Sequence, residues 1–333
     1  MAVWSALAVF AASVTVMSWA SAHLATALER IGARLRLPEG LLGIVTALGA
    51  DSPEICSAST ALLSNHHELG LGVVLGSNIF NLAGLLGLSA LVAGRVSIGR
   101  QGLWFNGGTS LVVSAVVTAL VLQWIAVGTS LVLLALVLLP YFVLTGMHPP
   151  QLARLALPAS SRRFLAAAIG HVHRDARKRE NIPHASRKDL AWATLAMALI
   201  VASSVAAVNS VVVLAGRLGI SQGIVGMVVL AALTSIPNVV AAVQFAREGR
   251  GAAVVSESLN SNTLNILAGI CLPALLIGFA TPSPLVIFAA LWLLGMKVVA
   301  LTAASHRHGL HRLGGALLMV LYLVFVAVVV RWQ

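Results

Sequence analysis

Gly49-Ala50-Asp51-Ser52-Pro53-Glu54 and Gly76-Ser77-Asn78-Ile79-Phe80-Asn81 bound the run GADSPEICSASTALLSNHHELGLGVVLGSNIFN, and the reading of this run decides the fold. Its background is apolar, yet it carries Asp51 and Glu54 beside the helix-breaking Pro53. Carboxylates inside an apolar span are costly and rare unless they line a cavity or bind something. A proline there frees a backbone carbonyl, which is tolerated only where protein or water can satisfy it. The run therefore reads as a polar site built from interrupted helices at membrane depth.

A weaker copy follows. Leu233-Thr234-Ser235-Ile236-Pro237-Asn238 precedes Asn260-Ser261-Asn262 and Asn265. Pro53 to Pro237, Ser77 to Ser261, Asn78 to Asn262 and Asn81 to Asn265 are all the same shift of 184, without a gap. Four polar or helix-breaking positions in constant register point to an internal repeat. Interrupted hydrophobic segments in corresponding places of two halves are the mark of a transporter binding site.

Composition agrees. The 333 residues are 59% hydrophobic and 9% charged, with mean hydropathy +0.96, which excludes a soluble domain of this length. Cys56 and Cys271 lie in apolar runs and give neither a disulfide framework nor metal-ligand spacing. The N-terminal run MAVWSALAVFAASVTVMSW has no basic start and reads as a retained span rather than a cleaved signal.

Ten runs approach the ~20 apolar residues a crossing needs: roughly 2–25, 40–64, 69–93, 103–122, 125–146, 189–215, 222–245, 252–279, 283–304 and 313–331. The expected fold class is all-α membrane, ten transmembrane helices in two inverted five-helix repeats. The first repeat occupies 1–146, a basic loop 147–188, and the second repeat 189–333. Lys and Arg mark cytoplasmic loops. They cluster at Arg30, Arg34 and Arg36, at Arg95 and Arg100, from Arg154 to Lys188, at Arg247 and Arg250, and at Arg307 and Arg312. That places the central loop in the cytoplasm and both termini outside. The net charge of +11 is thus a topology signal with attraction to anionic lipid, and nucleic acid is not an expected partner. An odd number of crossings per half turns the second half upside down relative to the first, as alternating access requires.

Residues three or four apart share a helix face. Asp51 with Glu54, Ser77 with Asn81, and Ser261 with Asn265 form such pairs; Thr234, Ser235 and Asn238 join them from the seventh span. All are oxygen ligands, which suit hard cations such as Ca2+ or Na+. The expected metal site is Glu54, Asp51, Ser77, Asn81, Thr234, Ser235, Asn238, Ser261 and Asn265. Glu257 reads as a residue of the cytoplasmic mouth or a partner of Lys297, which falls inside the ninth span. His66, His67, His171, His173, His184, His306, His308 and His311 read as solvated loop residues.

At these motifs the sequence resembles the cation/calcium exchanger superfamily, in particular the sodium/calcium exchangers. That family's first repeat is similar to G-[ST]-S-x-P-E followed by G-S-N-x-x-[ND], met here by Gly49–Glu54 and Gly76–Asn81; the second repeat is met by Thr234–Asn238 and Asn260–Asn265. The resemblance implies ten spans, with Glu54 as a central calcium ligand. It also implies that Ser77, Asn81, Thr234, Ser235 and Ser261 help to form the sodium and calcium sites. Three departures from the pattern change its charge. Asn238 stands where the family has its second central glutamate, Asn265 where an acid is common, and Asp51 where a hydroxyl precedes the proline.

The expected function is a secondary active cation antiporter exchanging Ca2+, or another hard cation, for Na+ or H+. The transported cations and the bilayer are its partners, no cofactor is expected, and a bacterial inner membrane is its expected location. Two neighbouring buried carboxylates disfavour joint ionisation, which makes proton coupling attractive. Loss of the second-repeat acids keeps open a monovalent Na+/H+-type exchanger, or a transport-dead membrane sensor or scaffold. No nucleophile–base constellation or phosphate loop suggests an enzyme.

Overall fold

Pro38 and Pro53 punctuate the first break in the chain. The computed structural model describes residues 3–147, 151–152, 154, 157–176, 186–305 and 309–332. Helix α1 (Val3–Arg34) ends just before Arg36, which takes a positive φ of 53°, and α2 (Glu39–Ala50) begins directly after Pro38. At Asp51 the backbone turns (φ −83°, ψ −2°) before α3 (Ser52–Leu63) starts, with Pro53 in its first turn. Proline is tolerated there because the first-turn amide needs no partner. Its missing N–H would orphan the carbonyl of Gly49, four residues back; Ser52 Oγ donates to that oxygen at 2.7 Å instead. The expected second span is therefore two short helices hinged at Asp51.

Helix α4 (His67–Ala93) loosens into a π-helical stretch at Leu82–Leu88. Then come strand β1 (Arg95–Ser97), α5 (Arg100–Val121) and α6 (Val127–Thr145). The second half has α8 (Arg187–Leu218), α9 (Gln222–Arg247), α10 (Gly251–Ile277), α11 (Pro284–Ser305), β2 (Gly309–His311) and α12 (Arg312–Val330). Helix α10 also has a π stretch, Leu267–Cys271, close to the repeat equivalent of the one in α4. Such stretches recur at functional sites. Among the described residues, nine helices are long and apolar enough to cross a membrane; the hinged α2–α3 pair makes the tenth crossing.

The halves are not identical. A helix break was expected at both prolines, but α9 runs unbroken through Pro237. The irregularity in this half lies upstream, in a π stretch at Val225–Leu230, and Thr234 Oγ1 donates to the carbonyls of Leu230 (2.9 Å) and Ala231 (3.2 Å) just after it. A proline inside a spanning helix is tolerated where neighbouring groups meet the freed backbone.

The expected central loop also contains more order than a loop. Helix α7 (Ala159–Ala176) places Leu165, Ala168 and Ile169 on one face, and Ala168 and Ile169 are buried, the spacing of an amphipathic helix. It packs on α5, where the Ala168 carbonyl approaches Gly102. Strands β1 and β2 pair antiparallel, Val96 opposite Leu310, and tie the end of α4 to the start of α12. Arg177, Lys178, Arg179, His184, His306, Arg307 and His308 lie outside the described residues.

Helices α3, α4, α9 and α10 form the centre. Gly72 and Gly76 of α4 let it approach the backbone of Gly223 and Met227 on α9, while Gly226 returns the close approach to Leu69. Small residues permit such backbone contact between spanning helices. Helices α1 and α8 pack along each other outside this centre, through Ala20, Leu24 and Ala27 against Ala193, Ala196 and Ile200. Arg30 Nη1 donates to Asp189 Oδ1 at 3.0 Å to join their ends. Met17 links the pair to the centre, its sulfur accepting from Ser57 (3.7 Å) and Ser204 (3.4 Å).

Candidate cation-binding site

Asp51, at the hinge, is 1% exposed, and Glu54, in the first turn of α3, is 0% exposed. Both sit at a helix N-terminus, whose dipole favours negative charge. Ser235 Oγ of α9 donates to Glu54 Oε1 at 2.8 Å. Asn238 Nδ2, one turn further along α9, donates to Asp51 Oδ1 at 2.9 Å. Ser261 Oγ of α10 donates to the same oxygen at 2.7 Å, and itself accepts from Asn81 Nδ2 of α4 at 3.1 Å. Six predicted residues from the hinge and three other helices thus meet in two hydrogen-bonded groups, Glu54 with Ser235, and Asp51 with Asn238, Ser261 and Asn81.

Asn78 and Asn262, 184 apart, hold the two halves together. Asn78 Nδ2 donates to the Asn262 carbonyl at 3.2 Å, and Asn262 Nδ2 to the Asn78 carbonyl at 3.1 Å. This reciprocity is what a local two-fold between repeats produces. Both asparagines were visible in the repeat register but had no assigned role; the constant shift was the signal for pairing them.

The network leaves acceptors over. Asp51 Oδ2, Glu54 Oε2, Asn81 Oδ1, Asn78 Oδ1 and Asn262 Oδ1 are buried and meet no hydrogen-bond donor. Buried polar atoms are normally paired, so these donorless oxygens, two of them on the carboxylates, are a surplus of acceptors of the kind a cation satisfies. Among the described residues no three His, Cys, Asp or Glu side chains gather as a metal cluster. The groups bonded to the two acids are hydroxyls and an amide.

Three predicted residues are not joined to this network by hydrogen bonds. Ser77 Oγ donates to the Val74 carbonyl at 3.1 Å, and Thr234 Oγ1 donates within its own helix. Asn265 is fully buried with both amide atoms unpartnered. Lys297 does not follow the suggested pairing with Glu257; its amine donates to Ser110 and Ser114. His66 is half-buried, its Nδ1 3.0 Å from Gln222 Oε1, in a surface cavity of about 510 Å3 shared with Glu68 and Ser221.

A second buried cluster backs the site and was not anticipated. The Tyr141 hydroxyl of α6 lies 2.7 Å from Asn106 Oδ1 and 2.6 Å from Asn260 Oδ1, the residue before Ser261. Its ring stacks on Phe105 and packs with Ile44 of α2 and Leu264 of α10. Tyr141→Phe should destabilise the protein by about 1–3 kcal/mol, because it strips a buried amide of its donor. A fall in Tm together with weaker cation binding would show that Asn260 helps to place Ser261; unchanged Tm would refute the contact.

Two carboxylates held amid amides and hydroxyls inside a helical membrane protein are what an ion pathway uses. The chain belongs to the sodium/calcium exchanger protein family, whose sequence pattern matches residues 5–147 and 188–331. The Escherichia coli inner membrane protein YrbG is 27% identical over 244 residues, 72% of this chain and 70% of that one. The putative antiporter CaxA of Alkalimonas amylolytica is 25% identical over 77% of this chain and 76% of its own. The mouse sodium/potassium/calcium exchanger 1 is 36% identical, over 35% of this chain and 11% of that protein. Among solved structures, the H+/Ca2+ exchanger CAX superposes with a TM-score of 0.69 at 14% identity, covering 98% of this chain and 86% of that one. The sodium-calcium exchanger NCX_Mj gives 0.62 at 19% identity, covering 98% and 99%. The fold is theirs: the chain is a multi-pass cation antiporter and not an enzyme.

Proposed function

We propose that this antiporter binds Ca2+, or another hard cation, between Asp51 and Glu54 and exchanges it for Na+ or H+ by alternating access. The observation that carries this reading is the set of buried acceptor oxygens without donors at the hinge. Two carboxylates neutralise one divalent ion. Asn238, Ser261 and Ser235 fix one oxygen of each acid and leave the other for cargo. Asn81, Ser77, Thr234 and Asn265 complete the oxygen shell as the cycle proceeds. Helices α1 and α8, with their own small cluster, move as a pair against the centre. The Lys- and Arg-rich loops face the cytoplasm of a bacterial inner membrane and meet anionic lipid there, with both termini outside.

A second reading has its own support. Asn238 and Asn265 add no charge, so loading several Na+ at once would leave unbalanced charge at depth, an unfavourable state. This favours monovalent cation–proton exchange on the same site. The deciding experiment loads liposomes containing the protein with radiolabelled Ca2+ and imposes a Na+ gradient or a pH gradient separately. Efflux under Na+ supports sodium coupling, and efflux under pH alone supports proton coupling. Absence of Ca2+ flux under both, with Na+ uptake driven by pH, overturns the calcium reading in favour of the monovalent one.

A further inference from the structure

Lys297 takes no part in the site above, yet it is 1% exposed in the interior of α11. Its Nζ donates to the Ser110 carbonyl at 3.0 Å, Ser110 Oγ at 2.7 Å and Ser114 Oγ at 2.6 Å, all on α5. These three partners are neutral. An intramembrane ammonium is unfavourable, and such residues mark ion or proton pathways. The elements packed on α11 are α4, α5, β2 and α12. Their ionisable residues are His67 and Glu68, Arg100, His311, and Arg312, Tyr322 and Arg331, respectively. Glu68, Arg100, Arg312 and Arg331 are exposed. None of these, nor Glu257 of α10, is a hydrogen-bond partner of Nζ.

The cradle fits both protonation states. As an ammonium, Lys297 donates three bonds. As an amine it keeps two, to the carbonyl and hydroxyl of Ser110, while its lone pair accepts from a turned Ser114 hydroxyl. A carboxylate in place of Ser114 could not make that change. The cradle also touches the transport centre: Ser110 Oγ donates at 3.1 Å to the carbonyl of Leu259, two residues before Ser261, whose hydroxyl binds Asp51.

We propose that Lys297 is the titrating countercharge of the transport centre, protonated when the centre holds a monovalent ion and deprotonated when it holds a divalent one. With Asp51 and Glu54 ionised, protonated Lys297 leaves a net charge of minus one, which a monovalent cation neutralises. A divalent ion would leave a net positive charge unless the lysine proton departs to solvent, and an uncompensated buried charge is disfavoured. Divalent binding therefore expels that proton, and protonation of Lys297 expels the divalent ion. The inference rests on the reading of Asp51 and Glu54 as the cation site.

The test adds Ca2+ alone to purified full-length protein in weakly buffered detergent and counts released protons with a pH dye, with Na+ as the control. Wild type should release about one proton more per Ca2+ than Lys297→Gln, and its Ca2+ affinity should rise more steeply with pH by about tenfold per unit. The two should release equal numbers on binding Na+. Lys297→Arg keeps the charge permanently; it should bind Na+ as wild type does and Ca2+ at least about tenfold more weakly. Equal proton counts for wild type and Lys297→Gln, or wild-type Ca2+ affinity in Lys297→Arg, overturn this proposal alone. Absence of Ca2+ binding by wild type overturns the site reading and this proposal with it.

Discussion

Glu54→Gln is expected to abolish cation binding while leaving the fold intact. The substitution keeps the side chain's shape, and its carbonyl oxygen can still accept the Ser235 hydroxyl, which now bonds Oε1 at 2.8 Å. What disappears is the charge, together with Oε2, the buried oxygen that meets no donor. Removing one partner of a buried charge pair costs about 3 kcal/mol or more, on the order of a hundredfold in affinity. Asp51→Asn should lose a similar amount, although Asn238 and Ser261 can both still donate to the remaining oxygen. The check is equilibrium cation binding beside Tm. Binding lost with Tm held within a few degrees identifies a ligand. Transport that survives Glu54→Gln would show that the cation site is assigned to the wrong residues.

The sequence made the acids legible for an energetic reason. A carboxylate in an apolar run is too costly to be accidental, so Asp51 and Glu54 stood out from their neighbours alone. Ser235, Asn238 and Ser261 needed the constant shift between repeats before they could be placed opposite those acids. Other features had no such signal. Ser77 and Thr234 lie on the right helices, but whether a hydroxyl faces the centre or its own backbone depends on a rotamer. The chain breaks at Asp51 and runs on through Pro237, although both stretches carry the proline of the repeat register, so the shared proline alone does not tell the two apart. Tyr141 reads as one more aromatic in an apolar span until its partner Asn260, 119 residues away, is known. Lys297 was visible as a charge out of place. Its cradle on Ser110 and Ser114, more than 180 residues earlier, was not.

Gly76→Ala is expected to unseat the centre as a whole. A Cβ on Gly76 would fall 2.5 Å from Met227 Cα and closer still to the Met227 carbonyl oxygen. Real Cβ atoms do not approach backbone so closely, and backbone cannot rotate away as a long side chain can. Helix α4 would have to lift from α9 at the point where Ser77, Asn78 and Asn81 begin. Overpacking of this kind costs about 1–3 kcal/mol and more where backbone must shift; in a seam of small residues the helices have no looser contact to adopt. The displacement would also stretch the reciprocal Asn78–Asn262 bonds and the Asn81–Ser261 bond, now 3.1–3.2 Å. Ser261 would then lose its donor while still facing Asp51. Gly76→Ala should therefore lower Tm and weaken cation binding together, whereas Gly108→Ala, where an added Cβ meets nothing within 4 Å, should change neither. Wild-type binding in Gly76→Ala would mean that the α4–α9 contact is free to open during the cycle, and that the site does not depend on this seam for its geometry.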